Sequence, residues 1–315
     1  FHAGATLAVA AAVARGASIA VIDGFKTSTF LETCNALGAT TTILLGVMAS
    51  FLLREPPSPR DRAHPLRLAM LVPLREDAMV LKERFGFDVV TTFNMSETSG
   101  PIRSDLNPTV RGSCGRPRPG IAARVVDEND CEVPTGKTGE LVLRADAPWV
   151  MSHGYNAMPE ATAAAWRNGW FHTGDAFRTD ADGNFFFVDR VKDAIRRRGE
   201  NISSFEVECE AMAHDAVLEA AAVGVPSELG EEDVLLVLAL KPGAELRFEE
   251  MIAFLRPRMP AYMVPRYIRL VEALPKTPTA KVQKNVLRSE GLVSNVWDRM
   301  EAGIEVKAER LRSPA

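Results

Sequence analysis

The spacing of apolar and polar positions changes twice along the chain. In the first third, short aliphatic runs alternate with longer mixed stretches. Residues 4–14 are Ala-rich and stop at Gly16, which predicts a helix ending there. The runs at 18–23 (SIAVID), 41–45, 66–72 and 87–92 read as strands, with SIAVID expected to be short and buried. The stretches at 26–36 and 76–85 read as helices, and the proline-rich EPPSPRDRAHP at 55–65 reads as a surface connection. Strands alternating with helices predict a parallel, doubly wound α/β sheet.

After about residue 110 the rhythm becomes that of a β structure. Strand-like runs at 121–126 and 140–143 are separated by turns such as Pro134-Thr-Gly136, which predicts a barrel-like texture. A third regime begins near Asp189. A helix is expected at about 203–213, strands at 218–225 and 234–241, a helix at 248–258 and a strand at 266–271, a small α+β domain. The organisation expected is therefore an α/β portion over 1–110, a barrel-like portion over 111–189, an α+β domain over 190–290 and a tail over 291–315.

Composition narrows the function classes. The 315 residues are 46% hydrophobic, enough for two or more cored domains. A net charge of −4 gives no general attraction to nucleic acid. Cys34, Cys114, Cys131 and Cys209 lie far apart with no CxxC pair, so a reducing, cytoplasmic setting is expected rather than a disulfide framework. The apolar stretch before Arg15 is too short to span a bilayer, and no basic region precedes it. The five histidines have no metal-ligand spacing, and no GxSxG elbow is present. The sequence does not fix the oligomeric state.

Several segments carry candidate chemistry. Gly136-Lys-Thr138 resembles the end of a phosphate loop, but Cys131 stands where the pattern needs its first glycine, and a strand rather than a helix follows; it is a turn. Phe93-Asn-Met-Ser96-Glu97 follows a strand, at the carboxyl end where α/β sheets bind ligands. An aromatic ring, a hydroxyl and a carboxylate there suit a base, a phosphate and a hard cation, against the plain alternative of a polar loop. Trp170-Phe-His-Thr-Gly-Asp175 offers a tight turn and a carboxylate for ribose hydroxyls, or a capped turn. The strand at 185–189 breaks into DRVKDAIRRRGEN, as a domain hinge with ligand-binding charges would; otherwise Arg196–198 is a solvated basic face. Pro275-Lys-Thr-Pro-Thr-Ala-Lys281 places a lysine on a Thr/Pro-rich loop. Taken alone, it is a solvated lysine on a turn.

In this order, FNMSET, GELVLRAD…HGY, WFHTGD, DRVKDAIRRRGENIS and PKTPTAKVQK resemble the adenylate-forming superfamily of acyl-CoA synthetases, luciferases and peptide-synthetase adenylation domains. FHAGATLAVAAAVARGASIAVID and the tail Trp297-Asp-Arg look most like the crotonobetaine/carnitine-CoA ligase group. The resemblance implies a large domain, truncated here, and a small mobile C-terminal α+β domain. It implies an ATP-dependent ligase in which a carboxylate attacks the α-phosphate of ATP, and coenzyme A then displaces AMP. Carried over by motif, Phe93 lies against adenine, Ser96 bonds the AMP phosphate, Glu97 ligates Mg²⁺, and Asp175 binds the ribose with Arg190 assisting. Lys192 falls at the hinge. Gly199, Glu200 and Asn201 line the coenzyme A tunnel, His2 and Asn94 shape the acyl pocket, and Lys281 is the catalytic lysine.

Departures from that pattern keep other readings open. Ser96 replaces a usual Thr and keeps the hydroxyl, whereas Asn94 and Ala280 stand where Gly is usual. The Ser/Thr/Gly-rich phosphate loop and the first half of the large domain would lie upstream of Phe1. An adenylation domain that loads a carrier protein fits the same motifs. A non-catalytic nucleotide- or acyl-adenylate-binding remnant fits the departures.

Overall fold

The computed structural model describes residues 3–74, 78–197, 200–227, 230–277 and 281–306. The chain divides into two units, Phe1–Phe187 and Val188–Ala315. His2, Gly199 and Ala280 lie outside the described residues, as do the side chains of Glu200 and Asn201.

The first unit begins with helix α1 (Ala3–Arg15), which ends where Gly16 takes a left-handed φ of 61°. Helix α2 (Phe30–Ala36) leads into strand β1 (Thr41–Leu45). Helix α3 (Gly46–Arg54), strand β2 (Leu68–Val72), helix α4 (Ala78–Phe85) and strand β3 (Asp88–Phe93) follow. The sequence reading overlooked α3, because Gly46 and the aliphatic residues after it continue the β1 run without a polar break. Strands β1, β2 and β3 are parallel neighbours. Two short antiparallel strands, β4 (Ile102–Arg103) and β5 (Arg116–Pro117), extend the sheet to the order β1-β2-β3-β4-β5. Burial alternates along these strands with period two, as the pleat requires. Leu44, Ala69, Leu71 and Val89 point to one face and share a core with Phe30, Cys34, Leu52, Leu81 and Phe85 from the helices. Ile43 and Leu45, on the other face of β1, are exposed.

The SIAVID segment differs from its reading. It forms no strand, and Ile19, Val21 and Ile22 are exposed, Val21 to 88%. Its β-branched residues favour a strand, but a strand needs a neighbour to take its backbone hydrogen bonds, and none pairs with it among the described residues.

A four-stranded sheet follows, of β6 (Ile121–Val126), β7 (Gly139–Ala145), β8 (Phe171–Thr179) and β9 (Phe185–Arg190), in sequence order, with the last three residues of β9 belonging to the second unit. Strands β6 and β9 stand at its ends, so the barrel-like texture takes the form of an open sheet among the described residues. Helix α5 (Pro159–Ala165) lies between β7 and β8. Lys137 closes the Gly136 turn by donating its N–H to Pro134 O, as expected of a turn rather than a phosphate loop.

In the second unit, the short hairpin β10 (Ile195–Arg197) and β11 (Glu200–Ile202) precedes helix α6 (Ser204–Met212). Strands β12 (Val217–Pro226) and β13 (Glu232–Leu240) follow, then helix α7 (Phe248–Leu255), strand β14 (Tyr267–Val271), helix α8 (Lys284–Glu290) and strand β15 (Trp297–Asp298). The sheet order is β12-β13-β14-β15, with β13 and β14 parallel. Both faces are covered. Val207, Met251 and Leu255 of α6 and α7 pack with Ala220, Ala222, Leu236 and Leu238, whereas Leu287 of α8 packs with Ala221, Val223, Leu235 and Val237. Residues 234–239 of β13 are all within 1% of full burial, so this strand reads as a continuous apolar run. Each such aliphatic side chain contributes about 1.5–3 kcal/mol.

Arg197 corrects the reading of Arg196–198 as a solvated basic face. Its side chain is buried, pairs with Asp233 at 2.7 Å and donates to Tyr262 O and Val264 O. Asp233 also holds Arg266 through Nη1, and Arg266 grips Asp298 through Nε and Nη2. Arg196 remains exposed.

Candidate active site

Strand β3 ends at Phe93, and Asn94-Met-Ser96-Glu97 turns away at its carboxyl end. Phe93 is buried, with its ring edge-on to Phe177 of β8, centroids 4.9 Å apart. Ser96 is exposed and Glu97 half-buried. Asn94 has a buried side-chain oxygen without a hydrogen-bond partner, so this position holds polar capacity that the protein leaves unused.

A loop 58 residues away fixes Glu97. Ser152 donates its N–H to Glu97 O at 2.7 Å, and the Tyr155 hydroxyl donates to Glu97 Oε1 at 3.1 Å. The local sequence explains the aim of Tyr155. A Cβ on Gly154 would sit 2.5 Å from Thr162 Cγ2, so only glycine brings the backbone this close to α5. The Thr162 hydroxyl then accepts the Tyr155 N–H at 2.9 Å. Burial raises the Tyr155 pKa, and the Glu97 charge adds to it, which keeps the phenol a donor. In the sequence HGY carries only a family resemblance, because the partner of Tyr155 is too distant in the chain for spacing to signal it. Tyr155→Phe is expected to leave the fold intact and free Glu97 to rotate. If Glu97 holds a divalent cation, the Mg²⁺ concentration for half-maximal activity should rise a few-fold. A titration of activity against Mg²⁺ with an unchanged midpoint would remove Tyr155 from this role.

Asp175 owes its position to a bulge. The register of β7 and β8 shifts between Glu140↔Ala176 and Val142↔His172, so residues 173–175 crowd opposite Leu141. Gly174 takes φ 70° there and donates its N–H to Glu140 Oε1 at 2.9 Å. The Thr173 hydroxyl bonds Leu141 O and accepts the Asp175 N–H. Glu140 Oε2 also meets His172 Nδ1 at 2.9 Å and Arg167 at 3.1 Å. These contacts turn the HTGD stretch into a fixed support for Asp175, which is buried to 7% exposure. The Phe93–Phe177 contact joins this strand to the start of the Ser96–Glu97 loop. Burial pushes the nearby Cys114 thiol up to about 11, with the Asp175 charge adding to the shift, so Cys114 is inert as a nucleophile.

The remaining candidates lie in the second unit. Arg190 and Lys192 are exposed at a turn in which Asp193 and Ala194 donate their N–H groups to Arg190 O. Lys281 is exposed on a loop closed by the Lys276↔Val282 bridge. Thr277 donates its N–H to Lys281 O at 2.8 Å, and Lys281 donates its own to Thr277 Oγ1 at 3.2 Å. Thr277 and Lys281 are thus tied to each other, with Lys281 exposed. Among the described residues, no three His, Cys, Asp or Glu side chains gather into a metal cluster.

Residues 1–155 match the family profile described as AMP-binding enzyme, and residues 206–281 match AMP-binding enzyme C-terminal domain, in that order. The chain belongs to the AMP-binding enzyme family. The crotonobetaine/carnitine–CoA ligase of Citrobacter koseri is 32% identical over 288 residues, covering 89% of this chain and 55% of that protein. The ligase of the same name from Proteus mirabilis is 30% identical, covering 87% of this chain and 54% of that protein. Among solved structures, ATP-bound MatB from Rhodopseudomonas palustris superposes with a TM-score of 0.74 at 27% identity, covering 91% of this chain and 57% of that one. This AMP-binding enzyme chain spans about half the length of the curated relatives it matches. The mixed α/β architecture is that of the solved family members. No helix among the described residues is long and apolar enough to cross a membrane.

Proposed function

We propose that this chain forms the nucleotide-binding and lysine-bearing portion of an ATP-dependent carboxylic acid–CoA ligase of the crotonobetaine/carnitine-CoA ligase type. The observation that carries the reading is the junction of two motifs in the first unit. The Phe93–Phe177 contact brings the Ser96–Glu97 loop to the strand whose bulge presents Asp175. That gives a hydroxyl for a phosphate, a clamped carboxylate for a cation and a second carboxylate for ribose hydroxyls.

In the proposed reaction, a carboxylate oxygen of the acid bonds to the α-phosphorus of ATP. The bond to the bridging oxygen breaks and pyrophosphate leaves. The sulfur of coenzyme A then bonds to the acyl carbon, the thiol proton is lost, and AMP departs. Ser96 orients the α-phosphate, Asp175 with Arg190 holds the ribose, and Lys281 neutralises charge as two anions meet. Phe93 borders the adenine by its edge, since most of its ring is already packed. Lys192 serves as the hinge, Gly199, Glu200 and Asn201 line the pantetheine path, and His2 and Asn94 border the acyl group. Glu97 fits Mg²⁺, which binds one or two protein carboxylates and otherwise keeps waters and substrate phosphates. When bound, the ion supplies neutralisation of the phosphate charge. Cys34, Cys114, Cys131 and Cys209 form no disulfide, which supports a reducing, cytoplasmic setting.

The test joins the chain to the N-terminal portion that its relatives carry and incubates it with ATP and a panel of carboxylic acids. Coenzyme A or a pantetheinylated carrier protein is added in separate arms, and mass spectrometry follows the products. Acyl-adenylate followed by acyl-CoA is expected. Transfer to the carrier alone would replace the acceptor, and the absence of any acyl-adenylate would overturn the reading.

A further inference from the structure

Helix α8 starts three residues after Lys281, and its two basic side chains do not point to solvent as surface lysines and arginines do. Lys284 and Arg288 lie one turn apart on one face of the helix. Lys284 Nζ meets Ser204 Oγ and Glu208 Oε1, each at 2.6 Å. Ser204 is wholly buried, and its hydroxyl and its N–H both donate to Asp189 Oδ2 at 2.6 Å. The other Asp189 oxygen accepts the Arg190 N–H at 2.7 Å. One turn along, Arg288 pairs with Asp193 at 3.1 Å. The helix after the lysine loop is therefore tied to residues on both sides of Lys192, about ninety positions earlier in the chain.

Stability alone does not explain this chain of polar groups. Burying ions costs desolvation that their mutual attraction only partly returns, and apolar residues of similar volume would serve as well. Glu208 carries that cost: burial raises its pKa, although Lys284 and the Ala222 N–H pull it down. The chain also links the two faces of the β12–β15 sheet, because Leu287 of α8 packs on one face and Val207 of α6 on the other. The best-attested use of such a device is to fix register.

We propose that Asp189, Ser204 and Lys284, with the Arg288–Asp193 pair, are positioning residues that latch helix α8, and with it Lys281, to the Lys192 turn and hold that turn in one setting. Because Asp189 precedes Lys192 and Ser204 follows it, a rotation at Lys192 must first release the Asp189–Ser204 bonds. The inference rests on the reading of Lys281 as the reacting lysine only for its consequence in catalysis; the coupling itself is independent of that reading.

Amide hydrogen exchange on the full chain tests it. Ser204→Ala and Arg288→Met touch no atom of the lysine loop, yet exchange at Lys281 and Gln283 should rise about tenfold, the scale of one lost charge-assisted hydrogen bond. Lys284→Met should raise exchange at Asp193 and Ala194 by a similar factor, and Lys284→Arg should retain most of the protection. Amides of β13 report global stability and set the baseline that the rises at Lys281, Gln283, Asp193 and Ala194 should exceed. Effects confined to the mutated side, or a rise shared equally by β13, would overturn the coupling. Lys281→Ala, assayed in parallel for acyl-adenylate formation, tests the catalytic reading. Full activity in that variant with the exchange coupling intact would remove the reading and leave the coupling standing.

Discussion

Lys281→Ala is expected to abolish acyl-adenylate formation and to spare thioester formation from supplied acyl-adenylate and coenzyme A. In the first half-reaction a carboxylate approaches a phosphate that already carries negative charge. A cation fixed beside both lowers the barrier because charge concentrates in the transition state, and removing such a preorganised group costs about 10²–10³ in rate. The loop geometry suits this use. Its backbone is closed by the Thr277–Lys281 hydrogen bonds and the Lys276↔Val282 bridge, so the amine projects from a defined base. Lys276, five residues earlier, is already paired with Glu219 at 2.5 Å and is a poor substitute. In the second half-reaction no phosphate is attacked, and the lysine is not needed. The two steps are measured separately, by pyrophosphate exchange and by acyl-CoA formation from synthetic acyl-adenylate. Equal damage to both steps would mean that Lys281 supports the fold or binds nucleotide rather than stabilising one transition state.

Asp175→Ala is expected to weaken AMP binding by about a hundredfold or more, since two hydrogen bonds to a charged acceptor contribute roughly 3 kcal/mol or more. The carboxylate sits on a bulge held by Thr173, Gly174 and Glu140, contacts that do not depend on its own side chain. The substitution should therefore remove the acceptor and keep its support. Calorimetric titration with AMP, alongside thermal melting of each variant, separates binding from folding. Unchanged affinity at unchanged stability would make HTGD a structural turn only.

Much of the architecture was legible where a segment's fate depends on its own residues. The aliphatic run at 41–45 became β1 with the expected limits, and the unbroken apolar stretch of β13 could only be a strand covered on both faces. SIAVID failed because apolar content states a preference for burial, while burial itself requires a neighbour. Arg197 failed for a related reason. Three consecutive arginines look like a solvated face, and the partner that buries the middle one, Asp233, lies 36 residues further on. The site divides the same way. Its motifs were readable as types of residue in order, but the Tyr155 bond to Glu97, the β7–β8 bulge under Asp175 and the Lys284 chain all join distant positions. None leaves a local pattern in the sequence.

Ile43 and Leu45 on β1 are exposed, as are Ile19, Val21 and Ile22 earlier in the chain. A parallel sheet ordinarily has both faces covered. Among the described residues, the terminal strand of the order carries an exposed aliphatic face and has no neighbour on its outer edge. A strand of that kind is one on which further strands or helices pack.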